Sequence, residues 1–261
     1  MTARVPSDRD FVQSLGRGLA VIQAFTEQRP ALTAARIAER TRLSRAACRR
    51  FLVTLERLGY VARDEAGRYR LLPAVLRLGY AYLSSQELPQ IVRPYCDRLA
   101  RTLRVSSSLG VLDGTDLVFL YRALPPGYLH TRLGVGSRLP AHSTAMGRAI
   151  LAGMSDAELN AHLERAETVA FTPFTATERA TIRARIERVR ELGYSLLDQE
   201  IDLGVRALAL PLRYRSGKIA GSICLGLYDP RIEPATIVRD YLRPLRQATA
   251  EINSTLALLQ G

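Results

Sequence analysis

Residues 32–72, LTAARIAERTRLSRAACRRFLVTLERLGYVARDEAGRYRLL, decide how the rest of the chain is read. A short helix opens at Thr33, then Thr41, Arg42 and Leu43 turn the chain. A second helix opens at Ser44, a residue type that satisfies the unpaired amides of a first helical turn. On that helix Cys48, Phe51, Leu52, Leu55 and Leu58 recur at helical spacing, which predicts one inward stripe. Arg45, Arg49 and Arg50, with the small Ala46 and Ala47, occupy the other face of its first two turns. A recognition helix enters a DNA major groove there, and bulk would hold the backbone off. Residues 60–63 and 68–71 bracket Asp64-Glu65-Ala66-Gly67 and predict a hairpin, a wing. A helical bundle with a solvated basic face would carry much of the same pattern.

Charge separates the two readings. Of a formal net charge of +12 over 261 residues, +8 falls on residues 1–86 and +4 on the longer remainder, a distribution that suits a polyanionic partner. Every basic residue is Arg except Lys218, and guanidinium forks match phosphate and guanine. Residues 1–7 read as a polar tail. Asp10 is expected to cap a buttress helix carrying Phe11, Leu15, Leu19, Ile22 and Phe25 and ended by Arg29-Pro30. Its outward Gln13, Ser14 and Arg17 would lie near a phosphate strand.

From Leu72-Pro73 an apolar helix is expected through Ala74, Val75, Leu78, Gly79, Tyr82 and Leu83. It is too apolar on several sides to stand alone, so a dimer is expected. Ser84-Ser85-Gln86 loosens the chain, giving domains 1–86 and 87–261. The second domain reads as a helix over 88–103, strands over 106–112 and 115–123 joined at Asp113-Gly114, and a further strand over 128–133. A glycine-bearing loop over 134–147 then runs into a helix over 145–154. Ser155-x-x-Glu158 and Thr175-x-x-Glu178 read as capping boxes, the second for a helix that ends at Gly193 with Arg179, Arg183, Arg185, Arg188 and Arg190 on a solvated face. Strands over 194–199, 206–213 and 218–227 and a helix over 234–259 complete an α+β domain with a mostly antiparallel sheet.

Alternation over the last strand puts Ile219, Gly221, Ile223, Leu225 and Leu227 on one face and the small Ala220, Ser222, Cys224 and Gly226 on the other. Val205, Ala207 and Ala209 oppose Leu208, Leu210 and Leu212 in the same way. The small face either accommodates a close-packed helix or floors a ligand cavity with Cys224, Ser222 and His142 as polar anchors. The 134–147 loop lacks the Gly-Lys-Ser/Thr ending of a phosphate loop. It offers instead a helix start dressed with His142, Ser143 and Thr144, fit for a small carboxylate. Cys48, Cys96 and Cys224 have neither the number nor the spacing for a disulfide framework or a zinc site. No cofactor or metal is expected. Without an apolar run of membrane length or a signal peptide, the expected location is the cytoplasm, away from membranes.

Residues 32–72, RLPAHSTAMGRAILAGM (138–154), LGYSLLDQEIDLGVRALALPL (192–212) and KIAGSICLGL (218–227) resemble the isocitrate lyase regulator (IclR) family of bacterial transcription factors over nearly the whole chain. DFVQSLGRGLAVIQAF (10–25), SRAACRRFLVTLERLGYV (44–61) and LRLGYAYLSS (76–85) are similar to the branch that controls catabolism of protocatechuate, 4-hydroxybenzoate and β-ketoadipate. The resemblance implies a winged helix-turn-helix, a dimerising linker helix and an effector domain with a GAF-like sheet. It implies effector contacts from 142–147, which includes Met146, from Gly204-Val205-Arg206-Ala207, and from Cys224 and Gly226. Three positions depart from the family: Arg42 where Gly is usual, and Cys224 and Gly226 where serines are frequent. A hydroxyl-rich pocket is therefore in question, with Arg122 or Arg206 as alternative anchors.

The expected function is a ligand-responsive regulator of an aromatic-acid catabolic operon. Its expected partners are double-stranded operator DNA and a small aromatic or dicarboxylic acid, and it acts as a homodimer or a dimer of dimers. Candidate DNA contacts are Arg17, Thr33, Ser44, Arg45, Ala46, Arg49, Arg50 and Arg68. Candidate effector contacts are Arg122, His142, Ser143, Thr144, Met146, Arg206, Ala207, Ser222, Cys224 and Gly226. The competing reading is a small-molecule enzyme with an incidental basic arm. For it speak only the adjacent His142 and Ser143, with no Gly-x-Ser-x-Gly elbow, and the acids Glu200 and Asp202, which read as surface or pocket groups.

Overall fold

The computed structural model describes residues 11–127 and 133–258. The chain divides into two compact units, 1–82 and 83–261.

In the first unit α1 (Gln13–Gln23) is followed by β1 (Ala31–Thr33), α2 (Ala34–Thr41), α3 (Arg45–Arg57), β2 (Val61–Arg63), β3 (Arg68–Leu71) and a 3-10 turn at Pro73–Val75; α4 (Leu76–Ser85) runs across the boundary at residue 82. The caps form where the residue types place them. Thr33 Oγ1 accepts from the Arg36 amide at 3.4 Å, and Ser44 Oγ accepts from the Ala47 amide at 3.2 Å. Between the helices Arg42 takes the left-handed conformation (φ 56°) that glycine adopts most readily, and the Leu43 amide closes the turn on the Ala38 carbonyl at 3.1 Å. Cys48, Leu52 and Leu55 are buried against Val21, Ile37, Val61 and Tyr69, with Phe51 half-buried beside them. Leu58, expected in that stripe, is exposed instead, because it caps the helix and Gly59 turns left-handed after it.

Two further expectations change. The first helix has Val12 at its N-cap with no side-chain cap and ends at Gln23, before Phe25. Asp10 and the tail lie outside the described residues. β1 was not foreseen; it pairs with β3, which makes a three-stranded sheet in the order β1-β3-β2 and seats Leu32 opposite Tyr69. Asp64 closes the wing turn: its carboxylate accepts from the Arg68 amide at 2.8 Å and from Arg68 Nε at 2.9 Å, and these bonds hold its pKa below the ordinary carboxylate range.

The second unit comprises α5 (Glu87–Leu103), β4 (Ser106–Asp113), β5 (Asp116–Ala123), β6 (Arg138–Pro140), a 3-10 turn at Ala141–Ser143, α6 (Ala145–Leu151), α7 (Asp156–Arg165), α8 (Arg179–Leu192), β7 (Ser195–Asp198), β8 (Val205–Arg213), β9 (Ile219–Tyr228) and α9 (Pro234–Leu258). The strands form one sheet in the order β6-β5-β4-β9-β8-β7, with every pairing antiparallel. Leu208, Leu210, Leu212, Ile223, Leu225 and Leu227 pack with α5 and α9 on one face, as alternation predicts. On the other face Cys224 and Ala209 pack with Ala145, Met146 and Ala149 of α6. Ile219 crosses to this second face, because a register shift at Leu212/Arg213 turns the strand over before Gly221.

Residues 128–132 of the strand expected at 128–133 lie outside the described residues, and the strand that precedes α6 is β6. α6 stops at Leu151 rather than at Met154. Ser155 and Glu158 form the expected capping box, but Thr175 does not cap α8: its hydroxyl donates to the Glu200 carbonyl, and the N-cap is Glu178 with no side-chain bond. Nor is the arginine face of α8 simply solvated. Arg190 donates to the Met154 and Ala152 carbonyls and to Asp156, and Arg185 pairs with the buried Glu200 at 2.5 Å.

Candidate functional site

On the first unit the outward face of α3 presents Arg45, Ala46, Arg49 and Arg50, all exposed, while Cys48 and Leu52 fix the opposite face in the core. Among the described residues no acid pairs with Arg17, Arg45, Arg49 or Arg50, whereas Arg36 pairs with Glu39 and Arg68 with Asp64. Arg68, expected to reach DNA, is thus held in its own turn. The wing exposes Arg63 and Arg70 besides, two cations that the sequence reading passed over. Thr33 and Ser44 are exposed at the caps of α2 and α3, and their hydroxyls already accept backbone amides.

On the second unit the register aligns a row across four strands: Arg122 pairs with Ser108, Ser108 with Cys224, and Cys224 with Ala209. A parallel row runs from Ser106 through Gly226 to Ala207. Arg122 is half-buried over the Phe119 ring at 6.0 Å; burial pushes the pKa of the Cys224 thiol up to about 11, and the Arg122 charge opposes that rise. Beside Cys224 and Gly226, the neighbouring strand β4 carries Ser108 and Ser106, with Ser106 Oγ donating to the Gly226 carbonyl at 3.0 Å. A β-carbon on Gly226 would fall 2.6 Å from that oxygen, so a serine on β4 and a glycine on β9 are complementary. Ala207 and Gly226 remain half-buried, and Met146 reaches across Gly110.

Three expected contacts stand elsewhere. Arg206 pairs with Leu227 and so lies on the α5/α9 face, opposite Cys224; it is 2.6 Å from Asp198 and donates to the Asp229 and Pro230 carbonyls. Ser222 is buried, its hydroxyl spent on the Leu210 carbonyl at 2.9 Å. Thr144 Oγ1 caps α6, accepting from the Gly147 amide at 2.9 Å and donating to the Ala141 carbonyl at 3.2 Å.

Ser143 and His142 are fully buried, and neither the Ser143 hydroxyl nor either ring nitrogen of His142 has a hydrogen-bond partner among the described residues. Burial, then Arg148 and His162, push His142 down to about 4; Glu200 and Asp116 oppose them. None of these groups belongs to the Cys224 row. Because the folded value lies below the ordinary 6.5, the unfolded chain binds the proton first. The stability is full above about pH 6.5 and falls as the pH drops toward 4. Between pH 7 and about pH 5 the loss from His142 is on the order of 2 kcal/mol. Urea midpoints at the two pH values should converge in His142→Gln, and an unchanged pH slope in that variant would show that the ring is hydrated.

Glu200, expected as a surface or pocket group, is buried and bidentate to Arg148, with both oxygens at 2.6 Å. A groove of about 950 Å³ between α8 and β7 is lined by Phe174, Thr181, Val189, Tyr194, Arg185 and Glu200. It includes neither Cys224 nor Arg122. No helix of the described residues is long and apolar enough to cross a membrane.

Residues 14–65 match the model of the IclR helix-turn-helix domain, and residues 80–254 match that of the C-terminal domain of bacterial IclR transcriptional regulators. The chain is 40% identical to the Pca regulon regulatory protein of Pseudomonas putida over 94% of its length and 84% of that protein. It is 32% identical to the p-hydroxybenzoate hydroxylase transcriptional activator of Acinetobacter baylyi, over 94% of its length and 92% of that protein. A crystal structure of a transcriptional regulator from Rhodococcus sp. RHA1 superposes with a TM-score of 0.81 at 39% identity, covering 95% of this chain and all of the other. These matches displace the enzyme reading: with a helix-turn-helix, an antiparallel regulatory domain and named regulators along its whole length, the chain belongs to the IclR family of bacterial transcriptional regulators.

Proposed function

We propose that this regulator controls an aromatic-acid catabolic operon in the cytoplasm. As a homodimer it presents α3 of each subunit to successive major grooves, and it senses a small aromatic or dicarboxylic acid on the small-residue face of its sheet. The observation that carries the effector reading is the Arg122–Ser108–Cys224–Ala209 row, which sets a half-buried guanidinium and a hydroxyl beside small residues on one face of the sheet. The relatives' links to the Pca regulon and to p-hydroxybenzoate hydroxylase support the ligand class. The dimer is supported by α4, where Leu76, Leu78, Tyr80 and Tyr82 are all exposed on the single chain. The effector changes operator occupancy only by binding one arrangement of the DNA-binding units better than another.

Titration calorimetry with 4-hydroxybenzoate, protocatechuate and β-ketoadipate tests the site. One of these acids is expected to bind, and Arg122→Gln to weaken it by about 1.5–3 kcal/mol, the worth of a charge-assisted bond. Equal binding by wild type and variant would move the carboxylate elsewhere. For DNA, Arg49→Ala is expected to cost about 1–3 kcal/mol in binding to the region upstream of the regulated genes. Gel-shift titrations that leave the affinity unchanged would remove Arg49 from base reading.

A further inference from the structure

The effector reading just given leaves open what sets the geometry of the site. Two distant segments flank the Cys224 row. Residues 142–147 lead into α6, whose Ala145 and Met146 pack with Cys224 and Ala209, and residues 199–204 deliver Val205 and Ala207 into β8. One buried ion pair joins the two segments. Arg148, 3% exposed, donates from Nε to the His142 carbonyl at 2.7 Å and from both terminal nitrogens to Glu200 at 2.6 Å.

The far end of this tie is itself anchored. Thr175 donates to the Glu200 carbonyl at 2.5 Å and Thr172 to the Gln199 carbonyl at 2.7 Å. Gln199 is left-handed (φ 57°), and its side-chain oxygen accepts from the Gly204 amide at 3.0 Å, which frames the loop.

Stability does not account for the pair. Removing two charges from water costs about as much as their attraction returns, and apolar side chains of the same volume hold a core as well. What a bidentate fork adds is position, since it fixes both the separation and the plane of its partners. We propose that Arg148 and Glu200 are positioning residues for the effector response: they hold the 142–147 turn and the 205–207 segment at the separation a small carboxylic acid needs. Neither touches the effector, and both act through Met146 and Ala207.

The test uses the full chain with 4-hydroxybenzoate and β-ketoadipate as probes and compares wild type, Arg122→Gln, Arg148→Lys and the double variant Arg148→Met/Glu200→Met. The double variant should melt near wild type and bind operator DNA normally without acid, yet its Kd for the acid should rise by about tenfold or more. Arg148→Lys keeps the charge but loses the fork, so it should show the same loss, and it decides alone if the double variant does not fold. Wild-type Kd in these variants overturns the proposal, as does a loss that merely follows a lowered melting temperature and vanishes on cooling. If wild type binds neither acid, or Arg122→Gln binds as well as wild type, the site reading has failed and the proposal falls with it.

Discussion

Gly147→Ala is expected to lower the melting temperature of the second unit by about 6–12 °C, the equivalent of roughly 3 kcal/mol in a domain of this size. The added β-carbon would fall 2.1 Å from the Ala141 carbonyl oxygen and 2.5 Å from that residue's carbonyl carbon and Cα. A flexible side chain could yield, but here the obstacle is backbone. The Ala141–Ser143 turn cannot retreat freely either: the Ala141 amide is bonded to the Thr115 carbonyl at 3.0 Å, and Arg148 holds the His142 carbonyl. Alanine favours helix over glycine by about 1 kcal/mol, which offsets only part of the clash. Thermal unfolding followed by circular dichroism decides the matter. A melting temperature within about 2 °C of wild type would mean that the turn moves at little cost, and the tie through Arg148 would then be slack.

The same turn shows where sequence reasoning stops. Local signals were legible: Ser44 caps α3, Cys48, Leu52 and Leu55 face inward, Asp64 to Gly67 turns the wing, and alternation separates Leu208, Leu210 and Leu212 from Ala207 and Ala209. That alternation also assigns Arg206 to the leucine face; only family resemblance carried it to the effector site, and the register with Leu227 reverses the assignment. What was not legible depends on pairing between distant segments. β1 has three residues, too few for a periodic signal, and exists because β3 passes beside it. Ser106 and Ser108 look like three-in-a-row serines with Ser107 until β4 is set against β9, some 120 residues on. Ile219 changes face through a register shift that no alternation predicts. The Arg148–Glu200 pair spans 52 positions, and nothing local distinguishes Glu200 from its exposed neighbour Asp202.

That pair gives the second large expectation, a single substitution more harmful than the double. Glu200→Met leaves the Arg148 guanidinium at 3% exposure with only the His142 carbonyl as partner, and breaking a buried pair in this way costs about 3–5 kcal/mol. Arg185 also loses its acid partner, but it keeps the Phe174 carbonyl and at 38% exposure water takes over that charge, so the penalty comes mainly from Arg148. Arg148→Met strands the Glu200 carboxylate less completely, because Arg185 remains 2.5 Å away, and the smaller loss should fall on that side of the cycle. Combining the two removes both buried charges and should recover most of the stability, with a coupling at least as large as the Glu200→Met loss, about 3 kcal/mol or more, in a urea double-mutant cycle. Additive losses would mean that the two side chains are solvated independently, and a cost below about 1 kcal/mol for Glu200→Met would mean that Arg148 finds water as soon as its partner is gone.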